Sequence, residues 1–413
     1  MQFSRAEFLR IVLTGVPVWM YSRHVALLAQ AVGSDPRARI STIIETYDRQ
    51  GIHRTATPID SASGDWLRQV AAAAGAEARL APFAINRVDV RDAHLEAGGR
   101  RIEGLPFFDA GFTGDTGIVG TLGAENSNAD IVLLTLNAAA ISSEGQSIAA
   151  LRRQTNRRAI VAVTSGGAPG LCPSNAVAFA KPYGLPVLQV GSEHQAFLNQ
   201  LAVAGSPATL VASAGRTSDQ AFNVIATIAG REPDLPPLVV MTPRSGWWQC
   251  ASERGGGIAC WVESIRAVGS SRPRRPVLFV ASSGHELGHY GLDAFLYERP
   301  NLIKGASAWI HLGANIGAAG GQMRLQSSDD EIEARAVRAI EQAATSVAQR
   351  VPRGTIPGGE ARNIHVGGGR YVSFIGSGPA FHTQQDRWPA AVDVDRVTRF
   401  AQAVATLAVS LAS

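Results

Sequence analysis

The stretch that decides the fold is Pro276 to Arg299, PVLFVASSGHELGHYGLDAFLYER. Val277 to Ala281 form an apolar, partly β-branched run, which predicts a buried strand. The run halts at small residues and opens into Gly284-His285-Glu286-Leu287-Gly288-His289, after which the pattern turns helical. A strand ending in this way delivers ionisable side chains to the carboxyl edge of a sheet, the usual place for an α/β site.

Two readings of these six residues stand. In the first, His285-Glu286-x-x-His289 is a zincin motif, with two histidines one helical turn apart on zinc and Glu286 as the base. That reading needs an unbroken helix, yet glycines stand at 284, 288 and 291, each costing about 1 kcal/mol inside a helix. In the second, the strand-turn-helix context resembles the Glu-Glu turn of the co-catalytic zinc exopeptidases, the aminopeptidase Y and bacterial leucyl aminopeptidase family. The family pattern is an apolar strand, then G-x-E-E-x-G-L-x-G-S, then a helix. Here G-H-E-L-G-H-Y-G-L-D takes its place, and His285 replaces the first Glu.

Length and composition narrow the classes. The 413 residues have room for about two to three domains. Apolar content of 46% with 17% charged residues describes a globular chain with a large core. The net charge of +4 comes from scattered arginine, not from a basic tract interleaved with aromatics, so no nucleic-acid partner is indicated. Cys172, Cys250 and Cys260 match no metal spacing and exclude a disulfide framework, leaving one Cys250–Cys260 bridge as an option.

Residues 1–31 read as an export signal similar to a twin-arginine leader whose second arginine is Ala6, with Ala29-Gln30-Ala31 as a small-x-small cleavage site. This implies a periplasmic or secreted protein. The alternative is an amphipathic N-terminal helix on a cytoplasmic one. The apolar run Ile11 to Met20 is too short to span a bilayer, and no other stretch predicts stable membrane insertion.

From Ala38 to Gly75 the pattern is helical, broken at Gly51 to Thr55, with Asp60-Ser61-Ala62-Ser63 as the expected N-cap of the second helix. His53 and Arg54 in the break fit either a cleft rim or a surface turn. Residues 84–88 and 93–97 predict strands, and Gly98-Gly99 a hairpin turn. Residues 104–216 alternate short strands with helices, among them 147–157, 175–180 and 193–204. They resemble the protease-associated domain that many family members carry as an insertion, the alternative being one continuous α/β domain. Phe222 to Gly230 then matches the family's re-entry strand. The resemblance thus divides the chain into a first core part (32–103), an insertion (104–216) and a second core part (217–413). The implied fold class is α/β: a mostly parallel twisted sheet flanked by helices, with an inserted α/β domain.

The resemblance also carries a ligand set, in altered form. The family's A-H-x-D-S corresponds to Thr242-Pro243-Arg244-Ser245-Gly246, so one metal-binding histidine is lost to Pro243. Its bridging Asp, in G-x-x-D-N-A-S-G, corresponds to Glu253. The Glu-Glu turn gives His285 and Glu286, the family's L-D-M-x-G gives Ile310-His311-Leu312, and its Y-H-T-x-x-D-T gives Phe381-His382-Thr383 through Asp386. Glu253, Glu286 and His382 thereby preserve the ligands of one metal, implying a single zinc with His285 as the base and Arg244 at the vacated metal position as a positive charge for an oxyanion or carboxylate. His289 and His311 are further candidates for the site, and Trp247, Trp248 and Tyr290 for its walls. The implied reaction is zinc-dependent hydrolysis of a small peptide or other amide. The alternative is an inactive homologue that binds a peptide or partner through the old cleft. The oligomeric state is left open.

Overall fold

The computed structural model describes residues 35–138 and 146–413. The expected export signal at 1–31 lies outside the described residues. Helix α1 (Pro36–Gln50) starts on Asp35, whose carboxylate accepts from the amides of Arg37 and Ala38, and buries Ile40, Ile43, Ile44 and Tyr47. Helix α2 (Pro58–Ala73) is capped by Thr57 and not by residues 60–63. Pro58 fixes φ at the first helical position, and the Asp60 carboxylate turns inward to the Ala56 amide, Ser283 and Arg244.

The two strands expected at 84–88 and 93–97 are one strand, β1 (Glu77–Ala97), joined through Gly98-Gly99 to β2 (Arg100–Pro106). Next come β3 (Ile118–Ala124), β4 (Ile131–Asn137), α3 (Gln146–Arg152), β5 (Ala159–Ser165), β6 (Val187–Val190), α4 (Gln195–Val203) and β7 (Pro207–Ile228). The helix expected at 175–180 is absent, and those residues form turns. Strands β1 and β7 pair antiparallel along nearly their whole length. This ribbon joins the strands of residues 100–190 to the rest of the sheet.

The remaining elements are β8 (Leu238–Pro243), α5 (Gly256–Ser271), β9 (Val277–Ser282), α6 (Tyr290–Tyr297), α7 (Leu302–Gly305), β10 (Ala308–Leu312), β11 (Met323–Ser327), α8 (Asp330–Gln342), β12 (Gln349–Arg350), α9 (Ala361–Val366), β13 (Tyr371–Gly376) and α10 (Val394–Ala412). The strand order is β1-β2-β6-β5-β4-β3-β7-β9-β8-β10-β13-β11-β12, with β9, β8, β10 and β13 mutually parallel. Helices α1, α2, α5, α8 and α10 cover one face of these central strands. Residues of α6, α7 and α9 pack on the other. The molecule is therefore a mostly parallel α/β sheet flanked by helices. The parallel strands are buried on both faces, which is why they read as unbroken apolar runs.

All three cysteines are buried and free, so the Cys250–Cys260 bridge does not form. Among the described residues no helix is long and apolar enough to cross a membrane.

Candidate active site

The carboxyl ends of β8, β9, β10 and β13 bring the predicted residues to one buried region. After β9 the chain makes a single 3-10 turn, His285–Leu287, bracketed by Gly284 at φ +88° and Gly288 at φ +73°. His289 is itself left-handed at φ +68°. The two histidines of the H-E-x-x-H pattern thus do not share a helix face, and the zincin geometry is absent. A side chain at Gly288 would lie 2.8 Å from the Val177 carbonyl oxygen, so only glycine lets the turn sit under residues 172–178.

The three residues implied as zinc ligands are already engaged. Glu286 Oε1 accepts from the Thr55 amide (2.9 Å) and hydroxyl (2.6 Å), and its Oε2 accepts from Ser245 Oγ (2.6 Å). Glu253 Oε1 lies 2.6 Å from Arg254 Nη2, an ion pair whose angle falls short of hydrogen-bond geometry. Burial pushes the Glu253 carboxyl up, but Arg254 and His382 outweigh burial and hold it at about 2. His382 donates Nδ1–H to the Pro173 carbonyl (2.7 Å) and turns Nε2 toward Glu253 Oε1 at 3.5 Å. Among the described residues, no group of three or more His, Cys, Asp or Glu side chains is arranged to hold a metal ion. In this arrangement the donor set does not fit zinc: both oxygens of Glu286 are hydrogen-bonded within the protein and Glu253 is matched to a guanidinium.

Arg244, expected to face a substrate, is fully buried and points elsewhere. It pairs with Asp60 Oδ1 at 2.8 Å and donates to the carbonyls of Asp60 and Phe222. The guanidinium among the site residues is that of Arg254, from the π-helical turn Ala251–Gly255 that leads into α5. Its Nε donates to the Ser245 carbonyl at 2.7 Å. Its charge reaches Glu253, Glu360, His285, His289 and His311. Arg254 follows Glu253 directly, and a charged residue inside a glycine-rich, apolar stretch was the signal that could have identified it.

The imidazoles gather around a second unpredicted residue, Glu360. His285 Nδ1 lies 3.6 Å from Glu360 Oε1, which accepts from Ser282 Oγ at 2.6 Å. His311 pairs Nδ1 with Ser373 Oγ at 2.8 Å, leaving its buried Nε2 without a hydrogen-bond partner. His289 donates Nδ1–H to Asn363 Oδ1 at 2.8 Å, and its ring centroid lies 4.9 Å from that of His285. Gly359, at φ +61°, lets the loop cross these rings, since a Cβ there would come 3.2 Å from His311 Cε1. Burial, then the charge of Arg254, pulls His285 well below the ordinary histidine range. Burial likewise takes His311 to about 3 and His289 to about 4. Burial raises Glu360 to about 7, against the opposing Ser282 hydrogen bond. At neutral pH the chamber thus holds uncharged His285, His289 and His311 near the Arg254–Glu253 ion pair. Sequence gave no sign of Glu360, which follows Gly358-Gly359 with no motif around it.

Residues 172–178 close the region over. Besides the Pro173–His382 contact, the Ala176 amide donates to the Glu286 carbonyl (2.8 Å) and Trp247 Nε1 to Asn175 Oδ1 (3.1 Å). Trp247 is a core residue, edge-on to Phe108 at 5.2 Å. Trp248, partly buried, donates Nε1–H to the His382 carbonyl at 3.0 Å. Both indoles are thereby tied in place.

No family model matches the chain, and no curated protein matches it either. Solved structures do. A zinc aminopeptidase from Bacillus subtilis superposes with a TM-score of 0.71 at 16% identity, covering 90% of this chain and 93% of its own. A peptidase M28 precursor from Shewanella amazonensis gives 0.72 at 14% identity over 95% and 96% of the two chains. An aminopeptidase from Aneurinibacillus sp. strain AM-1 gives 0.67 at 14% identity over 93% and 95%. What these likenesses show is the fold, that of the zinc exopeptidases, over nearly the whole length of the chain.

Proposed function

We propose that this chain is a peptidase-fold protein that binds a peptide or other amide-bearing ligand without hydrolysing it, and in which Arg254 supplies the fixed positive charge of the centre. One observation carries the reading: Arg254 Nη2 sits 2.6 Å from Glu253 Oε1, both side chains being at most 1% exposed. A guanidinium neutralises a buried carboxylate as a metal would, but it has no open coordination position in which to activate water. The hydrogen bonds that engage both oxygens of Glu286 and the closure by residues 172–178 support the same reading. On this view residues 104–216 are a protease-associated-like insertion.

A second reading, a mononuclear zinc amide hydrolase with Glu253, Glu286 and His382 as ligands and His285 as base, is favoured by His382. Its Nδ1–H on a backbone carbonyl and its inward Nε2 are the arrangement seen at histidine ligands. Turnover separates the two. Full-length protein incubated with zinc, cobalt or manganese and a panel of aminoacyl anilides and short peptides is expected to show no hydrolysis above a chelator-treated control. Chelator-sensitive turnover that His382→Ala abolishes would overturn the binding reading.

A further inference from the structure

A cavity of about 360 Å³ opens beside Glu286, between the turn before α2, the middle of β1 and the residues after β2. Its walls include Arg54, Arg87, Val88, Phe108, Glu286 and Leu287. The charged groups there differ sharply in how well they are matched. Arg87 is held by Asp89 and Asp219 and donates to the Ala56 carbonyl. Asp89 also accepts from Thr217, and both Glu286 oxygens accept hydrogen bonds, from Thr55 and Ser245. Among these charged side chains the Arg54 guanidinium alone has no hydrogen bond or ion pair within the described residues, while its carbonyl accepts from Thr57. Burial pulls its pKa down, and Glu286 is the charge that pushes it back up.

The half-buried Arg54 guanidinium keeps its nitrogens accessible, and its planar fork is suited to a carboxylate. Part of the lining is apolar: Val88, Phe108 and Leu287 are each less than a tenth exposed and belong to one packed cluster. We propose that this cavity is a carboxylate-binding site, in which Arg54 takes the anionic group of a small ligand whose apolar part packs on Phe108, Leu287 and Val88. A free peptide C-terminus next to an apolar side chain, or an acylated amino acid, has this chemistry. The assignment names the ligand class for the binding function proposed above and rests on that reading.

The test is calorimetric titration of the full chain with N-acetyl-L-phenylalanine and with its uncharged amide, N-acetyl-L-phenylalaninamide. The acid is expected to bind at least about tenfold more tightly than the amide. Arg54→Gln is expected to erase that difference without changing the unfolding midpoint, and Arg54→Lys to keep part of it. Equal affinity of wild type for acid and amide, no heat from the acid at about 10 mM, or an Arg54→Gln variant that binds the acid like wild type would each overturn the assignment. The acid–amide comparison needs no variant, so misfolding cannot obscure it. If the assignment fails while peptides still bind unhydrolysed, the function proposed above stands. If amides are turned over, that function falls while the acid–amide contrast is still read separately.

Discussion

Arg254 and Glu253, adjacent in sequence, form an ion pair at 2.6 Å inside the protein, with exposures of 0% and 1%. Their neighbours make this pair the electrostatic centre of the chamber. Cys250 donates weakly to Glu253 Oε2 at 3.5 Å, His382 Nε2 faces Oε1, and Tyr47 feels the charge of both. Two buried charges are tolerated when each is matched, and removing one leaves the other uncompensated.

Glu253→Gln is therefore expected to lower unfolding stability by about 3–5 kcal/mol. Arg254→Met should do likewise, whereas the double variant, which removes both charges, should recover most of the loss. Urea unfolding of the four proteins measures the coupling. Additive losses would show that the two residues do not compensate one another.

Gly64 lies in α2 against Arg244, and a Cβ there would meet Nη2 at 3.0 Å and Cζ at 3.1 Å. Alanine for glycine within a helix ordinarily adds about 1 kcal/mol. Here the guanidinium is pinned by Asp60 and the Phe222 carbonyl, so Gly64→Ala should instead cost about 1–3 kcal/mol through overpacking. A rise in the thermal midpoint would mean that Arg244 is free to move, reopening its role in the cleft.

The pH dependence follows from opposing groups. Burial holds His53 and His311 at about 3, His289 at about 4 and His285 well below 6.5. An unfolded chain protonates all four near pH 6.5, so their contribution to stability is present above that value and is lost as pH falls. Burial raises Glu360 and Asp386 to about 7; these carboxyls work the other way, stabilising most fully at low pH and losing that contribution as pH rises toward 7. Among these six groups the four imidazoles outnumber the two carboxyls, so between about pH 5 and 6 the unfolded chain binds more protons at them than the native one. Urea midpoints should accordingly fall from pH 6 to pH 5. A midpoint that rises on acidification contradicts burial of the neutral imidazoles.

Closure of the chamber can be read by hydrogen exchange. The Ala176 amide, bonded to the Glu286 carbonyl, should be protected although it lies in an irregular segment. Asn175→Ala removes the acceptor of Trp247 Nε1 and should speed exchange across residues 172–178 by about tenfold, the cost of one buried hydrogen bond. Unprotected wild-type amides there would mean that the segment does not cover the site.

Much of the fold was legible because parallel strands buried on both faces leave apolar runs: Val277 to Ala281 is where it was expected. The length of β1 was hidden, since the polar and charged residues between Val88 and Ala93 break its alternation and only pairing with β7 holds it extended. At the site, sequence placed His285, Glu286, Glu253, His311 and His382 in one region but not the direction each side chain takes. That direction is set by partners far away in the chain. Asp60, 184 residues from Arg244, turns that guanidinium away from the cleft, and Thr55, 231 residues from Glu286, claims one of its oxygens. The positive charge expected from Arg244 is turned away from the cleft for this reason, and the guanidinium beside Glu253 is that of Arg254.

The most direct test of the account is metal content. Full-length protein purified without a histidine tag, incubated with excess zinc and dialysed, would be analysed for metal per chain alongside Arg254→Ala and His382→Ala. Well under one equivalent is expected in wild type, because Arg254 already neutralises Glu253 and both Glu286 oxygens are hydrogen-bonded within the protein. About one equivalent in wild type, lost in His382→Ala, would contradict it and restore the zinc centre.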